Sequence, residues 1–112
     1  MATTTQILAG GTTRTESTEF EVDSTPVTVI ARVSSGSLLD SNAVGVIQRE
    51  NSAAGWADVT WEDALGKQHE ADFRNGSMER TLVAPGNYRV QRNLLTGRSG
   101  TPAVGFDICE SA

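Results

Sequence analysis

The chain has 112 residues, of which 38% are apolar, a net charge of −5 and a single cysteine. That length makes one domain, able to bury about two-thirds of the surface its unfolded chain exposes. The acidic balance excludes a general affinity for nucleic acid, whose phosphates demand a basic face, and the lone Cys109 excludes an intrachain disulfide and a cysteine zinc site.

Thirteen Thr and ten Ser lean the composition toward strands, because β-branched Thr fits a half-buried pleated surface. No window repeats apolar residues at i, i+3, i+4 and i+7 over three turns, so a long helix is not expected. No apolar run approaches the roughly 18 residues of a membrane span. Met1-Ala2-Thr3-Thr4-Thr5-Gln6 has neither the positive start nor the apolar stretch of a signal peptide, so folding in a cytosol is expected.

Residues 1–18 are polar and Thr-rich, with a hinge at Gly10-Gly11 and only Ile7 and Leu8 as an apolar anchor. Alone such a segment should be mobile, and it reads as an arm that reaches another subunit or partner by strand addition. The domain proper, 19–112, opens at Glu19-Phe20-Glu21-Val22. Pro26 then starts a strand in which Val27, Val29, Ala31 and Val33 share one face. After the Ser34-Ser35-Gly36-Ser37 loop, Val44, Val46 and Ile47 mark the next strand, and Asn51-Ser52-Ala53-Ala54-Gly55 turns into Trp56-Ala57-Asp58-Val59-Thr60-Trp61.

Beyond lie the runs 68–74 and 77–83 around Asn75-Gly76, then 87–92 after Pro85-Gly86, and last 103–109. Asn-Gly predicts a type I′ hairpin turn with φ > 0 at both central residues, and Pro-Gly a type II turn. With 19–22, 27–33, 43–49 and 56–62 this makes about eight short strands. The expectation is an all-β fold: a single antiparallel β-sandwich, jelly-roll or immunoglobulin-like in strand order, with an extended N-terminal arm.

Candidate chemistry is sparse. His69 lacks a second histidine, a cysteine and an orienting carboxylate at a known spacing, so it reads as a structural histidine at the core margin. Gly97-Arg98-Ser99-Gly100 has the wrong frame for a nucleophile elbow, and no glycine-rich loop introduces a helix as phosphate cradles require. Glu62, Asp63, Glu70 and Asp72 flank one predicted hairpin, but no Asp-x-Asp-x-Asp-Gly loop exists, and they read as a solvated edge. No enzyme activity, cofactor, metal or catalytic residue is expected. Cys109 reads as a small apolar filler or a contact residue.

Surfaces are more informative. Glu16, Glu19, Glu21 and Asp23 crowd one segment with only Arg14 nearby, whereas Arg74, Arg80, Arg89, Arg92 and Arg98 face a single acid, Glu79. Arg outnumbers Lys eight to one, as suits interface ion pairs, and the two clusters read either as two solvated faces or as a complementary contact between subunits. Strand parity puts Trp61 in the core with Ala57 and Val59. Trp56 either caps the sandwich end, anchors a protein contact or forms a sugar-stacking platform.

The run Val46-Ile47-Gln48-Arg49-Glu50-Asn51-Ser52-Ala53-Ala54-Gly55-Trp56-Ala57-Asp58-Val59-Thr60 resembles a strand–loop–Gly–Trp–strand signature of small β-sandwich virion proteins of tailed bacteriophages. The segment Ala84-Pro85-Gly86-Asn87-Tyr88-Arg89-Val90-Gln91-Arg92, with Ala103-Val104-Gly105-Phe106 and the Ala-Thr-Thr-Thr opening, is similar to other parts of these proteins. Together the similar parts span about half of the chain. Where the family more often has Asp-Gly before its Trp, this chain has Ala54-Gly55.

The resemblance implies a capsid decoration (cement) protein on the virion surface, made in the host cytoplasm. It would bind the major capsid protein, form a homotrimer and engage neither nucleic acid nor membrane. Residues expected at capsid or subunit contacts are Ile7, Leu8, Arg14, Glu19, Glu21, Trp56, Arg89, Arg92 and Arg98, with the arginines meeting carboxylates such as Glu19 and Glu21 across subunits. The alternatives are a glycan- or receptor-binding module at a tail or fibre tip, or a head–tail or tail structural subunit.

Overall fold

Alternation along Val27-Thr28-Val29-Ile30-Ala31-Arg32 buries every second side chain, so this segment can lie only as a strand with one face on a core. The protein is described from a computed structural model that covers residues 3–52 and 55–110. Part of the expected 51–55 turn and the first residue of the Ala-Thr-Thr-Thr opening lie outside the described residues.

The strands are β1 (Thr3–Gly11), β2 (Thr15–Glu16), β3 (Phe20–Val22), β4 (Val27–Ser35), β5 (Gly45–Asn51) and β6 (Gly55–Asp58). They continue with β7 (Thr60–Glu62), β8 (Gln68–Glu70), β9 (Asp72–Phe73), β10 (Glu79–Leu82), β11 (Gly86–Arg92) and β12 (Ala103–Glu110). No helix forms among the described residues.

The first sheet has the order β1-β12-β4-β10 and the second the order β2-β11-β5-β6, with β3 also on β11 and β9 also on β5; every pairing is antiparallel. β2 with β3, and β6 with β9, are broken halves of single strands, each pair lying along one neighbour. Counted so, the chain passes from sheet to sheet at almost every step, which is the connectivity of a jelly roll. The expected all-β sandwich is present, and the strand order that sequence left open is decided.

Phe73 and Phe106 meet between the layers with ring centroids 5.2 Å apart, and Ile47, Val29, Val90 and Val104 complete a core closed to solvent. Leu95, in the long loop before β12, plugs one end and donates its N–H to the Thr12 carbonyl.

The two turn dipeptides behave differently from expectation. Asn75-Gly76 does reverse the chain in two residues, with Arg74 and Ser77 exchanging backbone hydrogen bonds of 3.1 and 2.8 Å. Only Gly76 has positive φ (88°), and Asn75 does not, which is the sign pattern of a type II turn and not of type I′. Type II splays the flanking strands. Here that is required, because β9 belongs to the second sheet and β10 to the first. At Pro85-Gly86 no type II turn forms; Gly86 has φ 156° and opens β11, since the chain is again changing sheets.

Within the expected arm, residues 3–11 and 15–16 are extended, but they are fastened to their own chain. β1 runs along β12 with Thr3 opposite Glu110 and Gln6 opposite Asp107, and Ile7 is only 5% exposed, in the core. Leu8 packs against the same cluster. The boundary expected at residues 18/19 falls between β2 and β3, both bonded to β11. One apolar pair sufficed because β12 had an open edge for β1 to fill. Val33 departs from its expected face-mates, being 38% exposed at the end of β4.

Truncation at Ile7 tests this placement. Ile7→Ala should destabilise the isolated protein by about 2–5 kcal/mol, lowering the melting temperature by roughly 10 °C or more. A melting temperature within a degree or two of the parent would mean that β1 is not part of the folded sandwich.

Candidate functional site

Strand parity gives the second sheet an outer face that carries polar groups. Phe20, Val22, Tyr88 and Val90 point inward, so Glu21, Asn87, Arg89 and Gln91 point out. Cross-strand bonds knit this face: Arg89 donates to Gln48 Oε1 (2.8 Å), Gln48 to Asp58 Oδ1 (3.0 Å) and Asn87 to Glu19 Oε1 (3.3 Å). Arg14 reaches Gln91 Oε1 at 3.4 Å. The Arg89 guanidinium lies 4.4 Å from the centroid of Trp56, a cation–π contact that leaves the indole half-buried. Five expected contact residues, Arg14, Glu19, Glu21, Trp56 and Arg89, thus share one face.

Four others do not join them. Ile7 and Leu8 belong to the interior described above. Arg92 is 4% exposed and has no carboxylate partner among the described residues; it donates to the backbone carbonyls of Thr13 (2.8 Å), Ala9 (2.9 Å) and Val104 (2.9 Å). Burial lowers its pKa, although a guanidinium stays charged. Gly11 passes so close that an added Cβ would lie 2.7 Å from Arg92 Nη2. Arg98 grips Asp40 through Nε (3.2 Å) and Nη2, and donates to the Ala43 carbonyl (3.0 Å) and the Asn42 carbonyl (2.9 Å). Both arginines hold this chain's own loops, in place of the intersubunit carboxylates expected from sequence. A fork-shaped side chain satisfies several carbonyls at once, which is why Arg stands at both positions.

A second region lies at the hairpin expected between Glu62 and Glu70, where the sequence reading missed the pairing of Trp61 with His69. β7 and β8 form a two-stranded ribbon inserted between β6 and β9, the two halves of one interrupted strand. The chain leaves the sheet after Val59, whose N–H bonds the Ile47 carbonyl, and returns at Ala71, whose N–H bonds the Val59 carbonyl. This break voids the parity argument for Trp61. Trp61 is 45% exposed, out of the core, and stacks on its cross-strand partner His69 with centroids 4.6 Å apart and planes at 20°. His69 has an orienting carboxylate after all: its Nε2 lies 2.8 Å from Asp63 Oδ2. Asp63 Oδ1 also accepts the N–H groups of Leu65 and Lys67, which fixes the ribbon's turn.

Beside the stack opens a groove of about 570 Å³, walled by Trp61, His69, Glu70, Asp72, Arg74 and Arg80. Arg74 Nη2 sits 2.6 Å from Asp72 Oδ2, raising the Arg74 pKa, and Arg80 Nε donates to the Asp72 carbonyl at 2.9 Å. Of the four acids expected to form a solvated edge, Glu62 and Glu70 are exposed, whereas Asp63 is engaged by His69 and Asp72 by Arg74 and Arg80.

No protein-family model matches the chain, and no curated protein matches it. Among solved structures, the SPBc2 prophage-derived protein YomS is similar in fold, with a TM-score of 0.60 at 14% identity, over 100% of this chain and 94% of that one. At that identity the likeness establishes a shared fold.

Two outcomes follow from the loop contacts. Arg92→Ala takes the donor from three carbonyls, the buried one of Val104 among them, and opens a void; it should destabilise by about 3 kcal/mol, with Arg92→Lys recovering little because an ammonium cannot span them; a loss under about 1 kcal/mol in urea unfolding would refute this. Hydrogen bonds from Arg98, then the Asn42 N–H, hold the Asp40 carboxyl below its ordinary 3.8, and His69, then the Lys67 N–H, do so for Asp63. A carboxyl with a depressed folded pKa contributes stability above its unfolded value, lost as pH falls through the folded one. The melting temperature should therefore drop from about pH 4 downward, and less steeply in an Asp40→Asn, Asp63→Asn double variant. Identical acid profiles would remove these two carboxyls from the account.

Proposed function

We propose that this chain is a non-enzymatic structural protein of a tailed-phage particle, a decoration protein that binds the outside of the capsid shell and bridges neighbouring copies of the major capsid protein. The observation that carries the reading is the end-to-end likeness of its sandwich to a prophage-derived protein. The sequence resemblance to phage virion sandwiches supports the same setting. The contact face in this reading is the outer side of the second sheet, where Arg14, Glu19, Glu21, Trp56 and Arg89 cluster.

The physics of such a surface is repetition. Each exposed ion pair contributes only about 0–1 kcal/mol, so a single contact would be weak. Many copies on a lattice, assembled as homotrimers at symmetry points, would sum small terms into a durable shell through multivalency. A half-buried Trp with an Arg on its face supplies the kind of anchor around which interfaces concentrate their energy.

Purified protein added to undecorated phage capsids should bind saturably, at hundreds of copies per particle, and raise the temperature at which shells rupture. Trp56→Ala and Arg14→Glu should each lower occupancy about tenfold while leaving the monomer folded. Saturable binding with no gain in heat resistance would count against a cement role. A few copies per particle would favour a tail, fibre-tip or head–tail subunit instead.

A further inference from the structure

The β7–β8 ribbon contributes almost nothing to the core: Thr60, Trp61, Glu62, Gln68 and Glu70 are exposed, and only His69 is half-buried. A two-stranded ribbon is marginal by itself, yet here the walls made by Trp61, His69, Asp72, Arg74 and Arg80 are braced. Asp63 fixes His69, His69 supports one face of Trp61, and Asp72 fastens Arg74 and Arg80. An exposed indole held in one orientation, beside polar groups already locked in place, is a preorganised surface, and preorganisation is what reduces the ordering cost of binding.

The chemistry of the walls narrows the ligand. Glu70 and Asp72 balance Arg74 and Arg80 in charge, so the groove attracts neither anions nor cations strongly. Carboxylate, guanidinium and Gln68 amide groups are planar and present paired donors or acceptors, which match adjacent hydroxyls on a ring. The indole supplies an apolar surface for the C–H face of such a ring. Trp61 and Arg80 also border a second open cavity of about 400 Å³ with Val59 and Leu82. Both volumes fall in the range of small-molecule sites.

We propose that this groove is a binding site for a neutral oligosaccharide chain, with Trp61 as the stacking platform and Glu70, Asp72, Arg74 and Arg80 as hydroxyl partners. The groove uses other residues than those assigned to capsid contact, and the proposal does not depend on that assignment.

The test is titration of the isotope-labelled full chain with cellohexaose, maltohexaose and chitohexaose, followed by amide and indole NMR signals. At least one of these probes should give saturable shifts confined to residues 60–61, 68–74 and 80. Trp61→Ala should weaken that binding about tenfold or more with an unaltered spectrum elsewhere and a nearly unchanged melting temperature, because the side chain is outside the core. Asp72→Asn, which keeps the shape but loosens both arginines, should weaken it as well. The proposal is overturned if none of the three hexasaccharides binds at millimolar concentration, or if Trp61→Ala binds as well as the parent. It is equally overturned if only oligogalacturonate or an acidic peptide occupies the groove.

Discussion

A buried guanidinium at one end of the sandwich does what no apolar contact can do there. Arg92 belongs to β11 of the second sheet, yet its donors reach Ala9 in β1 and Val104 in β12 of the first, and Thr13 in the crossing between sheets. A carbonyl buried without a partner is expensive, and a crossing chain inevitably leaves some unpaired. One planar side chain with five donors resolves several of them and ties both layers together. The far end of the N-terminal strand, where its register on β12 shifts between Gln6 and Leu8 and again before Gly11, is held at this point.

With the layers fixed, the remaining surface divides by construction. The outer face of the second sheet is a flat, bonded mosaic of charges around Trp56, suited to lie against another flat surface. The β7–β8 ribbon is an excursion in the middle of a strand, and excursions of this kind can vary without disturbing the sheet that carries them. Its exposed indole is supported by a histidine and an aspartate instead of by the core. Two sets of exposed residues, one around Trp56 and one around Trp61, thus stand on one support.

The internal duties of Arg92 and Arg98 also change how the charge pattern should be read. Clustered arginines against few acids in sequence suggested a basic contact surface. In space Arg92 and Arg98 face carbonyls and Asp40, Arg74 and Arg80 face Asp72, and Arg89 covers Trp56. Little unbalanced positive charge remains outside.

Period-two alternation was enough to locate the main strands, because side chains at 27, 29 and 31 or at 104, 106 and 108 have no other way to reach a common core. The all-β class was therefore legible, and so was the exposed charge at Arg14, Glu19 and Glu21. Alternation says nothing about which sheet receives a strand, so jelly-roll order, the docking of Thr3–Gly11 on β12 and the two sheet-changing turns came only from tertiary pairing. The same limit misplaced Trp61: parity holds only while a strand is unbroken, and the break at Val59 is imposed by hydrogen bonds to Ile47 and Ala71. Local sequence determined where the chain extends and which side of each strand is apolar. Long-range backbone bonding decided which extended pieces are neighbours, and hence which residues share a surface.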